Sequence, residues 1–225
     1  ENKSNKKTII YPHGGPWARD YWGFDPTAQF LAENNFNVIQ MNIRGSTGYG
    51  YEFAAEVFGN FEEVLEDIYD GIEFFDAEGL IDKNNLCIYG GSYGGYAATM
   101  APINRPDLFK CAASDAGLYD MEAQYKRGDV RRSRGGKVFL DRAFKGKDGK
   151  LDASQSPINR VSEMKVPFFL LHGKKDIRTP YKDAELFMEE MDRNNISYEK
   201  MIITKEEHGF SNEENREASM ERLLK

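Results

Sequence analysis

Short apolar runs alternate along this chain with longer amphipathic stretches, and the alternation predicts a βα succession. Thr8-Ile9-Ile10-Tyr11, Asn37-Val38-Ile39-Gln40-Met41-Asn42 and Asn85-Leu86-Cys87-Ile88 read as the first three strands. Lys110-Cys111-Ala112-Ala113-Ser114, Pro167-Phe168-Phe169-Leu170-Leu171 and Tyr198 to Ile203 supply three more. Ala28 to Asn34 reads as a short helix, and Glu62 to Glu78 as a longer one. Val64, Leu65, Ile68, Ile72 and Phe75 recur there at helical spacing, with Glu62, Glu63, Glu66 and Asp70 on the wet side. Tyr96 to Ala101 has helix-forming composition. Thr179-Pro180 reads as an N-cap with proline at the first helical position. The helix after it carries an apolar stripe of Ala184, Phe187, Met188 and Met191, with Asp183 solvated. A last helix follows His208. Strands alternating with helices imply a mainly parallel sheet covered on both faces, an α/β fold in which ligands gather at the carboxyl ends of the strands.

Residues 118 to 160 break the pattern. Periodicity fades, and Lys126, Arg127, Arg131, Arg132, Arg134 and Lys137 crowd into a few turns. This stretch reads as helices and loops forming a small cap over the carboxyl end of the sheet, within one domain of residues 1 to 225. Its charges either line the mouth of a site, where they attract a substrate carboxylate, or form a solvated positive face.

Composition narrows the class. The 225 residues suffice to bury a sizeable core, and 40% are hydrophobic. A net charge of −7 argues against nucleic acid as a partner. No apolar run nears the roughly 20 residues of a membrane helix. The opening at Glu1-Asn2-Lys3 leaves room for a removed leader, so a soluble, cytoplasmic setting is favoured, with periplasm or secretion open. Cys87 and Cys111 each sit in a strand-like apolar run and read as reduced core thiols, with no metal, cofactor or disulfide framework.

The chemistry concentrates at Tyr89-Gly90-Gly91-Ser92-Tyr93-Gly94-Gly95-Tyr96, between a strand and a helix. Gly-x-Ser-x-Gly in that frame is the nucleophile elbow, a sharp turn that holds its serine at the tip. Sites built on it have the chain order serine, acid, histidine. His13 precedes Ser92, and His172 lies upstream of any acid in its own loop, which leaves His208 as the base. Asp176, just past the fifth strand, fits the acid that orients it. Glu206 and Glu207 are too close in sequence to His208 to reach round it. An oxyanion hole needs two donors: the Tyr93 N–H, and a second from His13-Gly14-Gly15-Pro16. Gly15 is chosen, because Pro16 has no N–H to give.

Five motifs taken together resemble one family. They are His13-Gly14-Gly15-Pro16, Arg44-Gly45-Ser46-Thr47-Gly48-Tyr49-Gly50, the elbow, His172-Gly173 with Asp176, and His208-Gly209-Phe210. In this order the chain resembles the catalytic domain of the prolyl oligopeptidase family, nearest to its acylaminoacyl-peptidase and dipeptidyl-peptidase branch. The resemblance implies an α/β-hydrolase fold, Ser92, Asp176 and His208 as triad, Tyr93 and Gly15 at the oxyanion hole, and short peptides as substrates with esterase side activity. The family's N-terminal β-propeller and first strands have no counterpart here, Glu1 falling at the connection between the family's second and third strands. The strand at Asn37 to Asn42 then becomes a sheet edge through which copies could associate. Leu118-Tyr119-Asp120-Met121 stands where proline-specific members carry tryptophan and tyrosine, so proline preference is not expected. Tyr119, Tyr125, Arg131 and Arg132 are the candidate substrate contacts. The rival readings are a carboxylesterase or deacetylase on the same fold, and a silent binding module.

Overall fold

A computed structural model describes residues 7–225; the expected junction at Glu1 lies outside them. The apolar runs become six strands: β1 (Thr8–Ile10), β2 (Asn37–Ile39), β3 (Leu86–Gly91), β4 (Cys111–Asp115), β5 (Phe168–Gly173) and β6 (Tyr198–Ile203). Every pairing is parallel, in the order β2-β1-β3-β4-β5-β6. The helices are α1 (Pro26–Glu33), α2 (Tyr51–Ala55), α3 (Glu66–Ala77), α4 (Tyr93–Asn104), α5 (Met121–Arg127), α6 (Arg134–Phe144), α7 (Tyr181–Arg193) and α8 (Glu213–Leu223).

Strand periodicity divides the core in two. Ile10, Ile88, Ala112 and Leu170 face one side, with Ile68 and Ile72 of α3, most of α4 and Phe187 and Met191 of α7. Ile9, Tyr89 and Ala113, one residue away on the same strands, face the other side, with Leu31 of α1 and Met220 and Leu223 of α8. Helix α4 has no wet face, being buried from Tyr93 to Ile103, which accounts for its run of small residues at the centre of the sheet.

Several expectations are corrected. Strand β2 stops at Ile39 rather than Asn42. The helix expected from Glu62 begins as a 3-10 turn (Glu63–Leu65) before α3. Thr179 does not cap α7, whose N-cap position is Pro180 without a side-chain bond. Asp183 is not solvated: it is 4% exposed and ion-paired with the guanidinium of Arg127. Cys87 and Cys111 are not free thiols. They occupy partner positions on adjacent strands β3 and β4, with Cα atoms 4.8 Å apart, and are joined as a disulfide. The residues from Met121 to Glu163, between β4 and β5, form α5, α6 and three 3-10 segments.

Candidate active site

Chain order reverses at the centre of the sheet. Strand β1 connects to β2 on one side, and the chain then crosses to β3 on the other. Loops leaving β1 and β3 therefore diverge above neighbouring strands, and the crevice between them is where a parallel sheet receives ligands. Gly14 and Gly15 leave β1 into this crevice, and Ser92 leaves β3.

Ser92 holds φ 57°, ψ −116° between β3 and α4, a left-handed conformation that a side chain bears only when its surroundings over-determine it. Its N–H donates to the Asp115 carbonyl (2.9 Å), and its carbonyl receives the Tyr96 N–H (3.0 Å). Gly94 lets the β1 loop sit on the start of α4, since a Cβ there would lie 2.2 Å from the Pro12 carbonyl oxygen. A Cβ on Gly14 would reach 3.5 Å from the Ser92 Cβ, which measures how closely that loop passes the serine. His13 fastens the same loop to the next one through Ser46 Oγ (Nε2, 2.8 Å).

From Ser92 a hydrogen-bonded line runs inward. His208 Nε2 is 3.0 Å from Ser92 Oγ, and His208 Nδ1 is 2.8 Å from Asp176 Oδ2. An ionised carboxylate can only accept, so Nδ1 donates and Nε2 presents its lone pair to the serine hydroxyl. Asp176 is 3% exposed. Its Oδ1 accepts from the N–H groups of Arg178 (2.8 Å) and Thr179 (2.9 Å), and its Oδ2 from the Thr179 hydroxyl (2.9 Å). Burial pulls this carboxyl upward. The bond and charge of His208, the charge of His172 and the Thr179 N–H outweigh it and hold the group below the usual aspartate value.

His172 and Glu206 do other work. His172 is fully buried below the acid loop and donates through Nε2 to the Thr179 carbonyl (2.9 Å). Burial lowers its pKa and favours the neutral ring. Glu206 is 2% exposed and accepts from Ser211 N (2.8 Å), Ser211 Oγ (3.0 Å), Asn212 N (3.1 Å) and Asn215 Nδ2 (2.6 Å). These bonds, Asn215 first, draw its pKa down to about 2. They brace the loop that carries His208. Sequence reading weighed Glu206 only as a triad acid and passed over Thr179 as a cap. The one available signal was their closeness in sequence to His208 and Asp176.

Asp115, at the end of β4, is a further carboxyl beside the line. Its Oδ1 is sealed from solvent without a partner. Burial, opposed by His208 and reinforced by Asp176, raises its pKa to about 7.

A cavity of about 140 Å³ opens beside Ser92 and Tyr93. Gly15 contributes to its lining, as do Trp17, Phe61, Phe139 and Phe144. Trp17 is fixed by its indole N–H to the Ala54 carbonyl (3.0 Å) and by the rings of Phe58 and Phe139 at 4.9 and 4.8 Å. Of the expected substrate contacts, Tyr119 lies elsewhere. It is 1% exposed, stacked on Phe187, with its hydroxyl 2.9 Å from Ser114 Oγ. Tyr125 is half-buried and bonds Asp141 (3.0 Å), while Arg131 and Arg132 stand exposed on a 3-10 turn. None of these four lines the cavity. No group of three or more residues able to hold a metal occurs among the described residues, and no described helix is long and apolar enough to cross a membrane.

Comparison with known proteins gives a consistent picture. The family model described as the prolyl oligopeptidase family matches residues 22–225. Dipeptidyl aminopeptidase BIII of Pseudoxanthomonas mexicana is 29% identical over 93% of this chain and 31% of its own length. A puromycin-hydrolyzing peptidase of Mycobacterium tuberculosis superposes with a TM-score of 0.89 at 26% identity, covering 97% of this chain and 33% of that one. The acylaminoacyl peptidase of Pyrococcus horikoshii gives 0.86 at 26% identity, covering 97% and 36%. The chain thus spans about a third of the length of these relatives and shares their α/β-hydrolase fold. The parallel sheet, the elbow between β3 and α4 and the match over residues 22–225 lead to one conclusion: the chain belongs to the prolyl oligopeptidase family of serine peptidases.

Proposed function

We propose that this chain is the catalytic domain of a serine peptidase that cleaves short peptides through an acyl-enzyme. The observation that carries the reading is the unbroken run Ser92 Oγ–His208 Nε2–His208 Nδ1–Asp176 Oδ2, at 3.0 and 2.8 Å. Ser92 Oγ attacks the scissile carbonyl carbon while His208 Nε2 takes its proton. The imidazolium so formed is stabilised by Asp176, whose remaining lone pairs are occupied by Arg178 N, Thr179 N and the Thr179 hydroxyl. The oxyanion is received by the N–H groups of Tyr93 and Gly15. As the tetrahedral adduct collapses, His208 returns the proton to the leaving amine. Water then repeats the sequence on the ester, releasing the acid and restoring Ser92. The aromatic cavity beside Ser92 holds the side chain on the acyl side of the cleaved bond. Short peptides are favoured over esters because the chain resembles peptidases along nearly its whole length.

The test is turnover of short peptide anilides and matched aryl esters by the intact protein. Ser92→Ala should lower kcat on the order of 10⁶-fold, and His208→Ala by a similar factor, because the three residues act as a unit. A fluorophosphonate that fails to label Ser92 would sink the assignment. Ester turnover without any amide cleavage would turn the reading to a carboxylesterase.

A further inference from the structure

A second cavity, of about 260 Å³, lies at the opposite end of the sheet from Ser92. It opens where β1, β3, β4 and β5 begin, beneath the end of α8, and its walls include Phe36, Leu223 and Leu224. Cys87 and Cys111 line it too. Side chains alternate along a strand, so both cysteines share the face of Tyr89 and Ala113, two residues further on, which packs against Leu223 and Leu224. The two are registered partners, with Ile9 level with them on β1, and each is partly exposed. Their disulfide therefore faces a space open to solvent rather than the interior of the core. Lys7 lines the same cavity, two residues before Ile9 and on its face of the sheet. Arg222 is held there by Glu199 at 2.6 Å, whereas Lys7 is exposed and has no ion pair among the described residues.

We propose that the Cys87–Cys111 bridge is a redox-modification site, opened in the folded protein by small anionic thiols that enter this cavity past Lys7. A dry cavity of about 150 Å³ takes a benzene ring, so this one admits a thiol of a few carbons. Exchange runs through the thiolate and a mixed disulfide. The thiolate attacks one cysteine sulfur, the bond between the two cysteine sulfurs breaks, and the other cysteine leaves as a thiolate. A second thiolate attacks the small-molecule sulfur of the mixed disulfide and releases the second cysteine. Two electrons pass to the protein, two thiols become one small disulfide, and the protons those thiols lost reach the cysteines through solvent. A nearby cation stabilises thiolate, so Lys7 favours both the incoming anion and the departing one. Ser92 lies beyond the far end of β3, so opening the bridge leaves the reacting groups alone and removes a constraint on the unfolded chain. Closing a loop of this length lowers the unfolded population on the order of 100-fold. The thiol level around the protein then sets how long the fold lasts rather than how fast it turns over.

The experiment incubates the intact, oxidised protein with 2-mercaptoethanesulfonate, 2-mercaptoethanol or cysteamine, which share one skeleton and differ in charge. Samples are quenched with N-ethylmaleimide, and mass spectrometry counts the labelled cysteines. Each rate is referred to thiolate concentration and to the same thiol's rate on a neutral peptide disulfide, which removes differences in nucleophilicity. Entry through the cavity gives rates within about 100-fold of the peptide and insensitive to low urea. A bridge reached only by global unfolding would react slower by about 10³- to 10⁸-fold, with a rate that climbs with urea along the unfolding curve. That second pattern overturns the proposal. The sulfonate should exceed cysteamine by about fivefold or more, the size of one exposed charge contact, and the gap should close in Lys7→Gln and in high salt. Equal rates for the three thiols in the wild type overturn the proposal as well, as does a gap that survives Lys7→Gln. Should that variant fail to fold, the wild-type series at low and high salt still decides. Labelling needs no turnover, so the outcome is independent of the peptidase reading.

Discussion

Thr179 grips Asp176 twice, with its N–H on Oδ1 and its hydroxyl on Oδ2, both at 2.9 Å. The same hydroxyl is 2.9 Å from the Ala116 carbonyl and 3.3 Å from His208 Nδ1. One proton shared between two acceptors fixes where the carboxylate sits relative to the imidazole. Thr179→Val keeps the shape and removes that proton. Loss of such a supporting bond typically costs 10- to 100-fold in a metal site, and here kcat should fall about tenfold with KM little changed. Steady-state kinetics on an aryl ester would check it, and an unchanged kcat would show that the backbone N–H groups alone orient the acid.

The loop bearing His208 should fail in acid before the sheet does. Glu206 has its folded pKa depressed to about 2 by Asn215, Ser211 and Asn212. A depressed carboxyl contributes stability above its unfolded value, and the contribution is lost as pH falls from about 4.5 through about 2. Glu206→Gln should therefore lower the melting temperature at pH 7, with the difference from wild type shrinking toward pH 2. Calorimetry across that window would reveal it. A difference independent of pH would mean that ionisation of Glu206 has no part in holding the loop.

Asp115 has the opposite sign. Burial raises its folded pKa to about 7, so the folded state favours the protonated form relative to the unfolded chain. The stability this gives is full below about 3.9 and is lost as pH rises through about 7. Asp115→Asn should gain on wild type by several degrees between pH 4 and pH 8. Melting curves that stay parallel over this range would rule the account out.

The bridge between Cys87 and Cys111 encloses β3, the elbow and α4, a sequence separation of 24 residues. In the chain-entropy account, closing such a loop is worth about 3 kcal/mol. Cys87→Ala with Cys111→Ala should lower the unfolding free energy by an amount of that order while leaving the turnover of folded protein near wild type. Denaturant titration with and without a reductant is the measurement. Identical midpoints would mean that the bridge adds nothing to stability.

Strand β2 forms one edge of the sheet. Asn37 N and Ile39 O are bonded inward to Lys7 O and Tyr11 N, which turns the N–H and C=O of Val38 outward. Tyr21, Trp22 and Phe24 are exposed nearby in sequence, Trp22 completely. The 225-residue chain on its own is expected to self-associate at tens of micromolar, and Val38→Lys to return it toward monomer. Light scattering decides, and a monodisperse wild-type monomer would show that three residues are too short an edge to template pairing.

How much of this was legible in the sequence varied with range. The six strands were, because burial on both faces leaves continuous apolar runs, and so was the proximity of Ser92, Asp176 and His208, each just past a strand end. What escaped depends on partners distant in sequence. Asp183 looks like any wet helix position until Arg127 is folded against it. Cys87 and Cys111 each read as a core residue because nothing local reveals that β3 and β4 are neighbours in matching register. Thr179-Pro180 carries a real capping signature, overridden because its hydroxyl is taken by Asp176 and Ala116. The amide oxygen of Gln124, buried without a partner, gave no signal at all, since an unpaired acceptor exists only relative to everything packed around it.

Ser92 and His208 lie 116 positions apart, and that separation makes the site a sensor of completed folding. A chain whose sheet has formed through β5 already has Ser92 and Asp176 at their strand ends, but it lacks His208, the third member of the proposed triad. Only when β6 has joined the edge and Glu206 has collected Ser211, Asn212 and Asn215 does the imidazole arrive. On the proposed reading, the hydroxyl of Ser92 is without its base wherever the C-terminal elements are undocked, and loosening of α8 and its loop would silence turnover while most of the sheet remained in place.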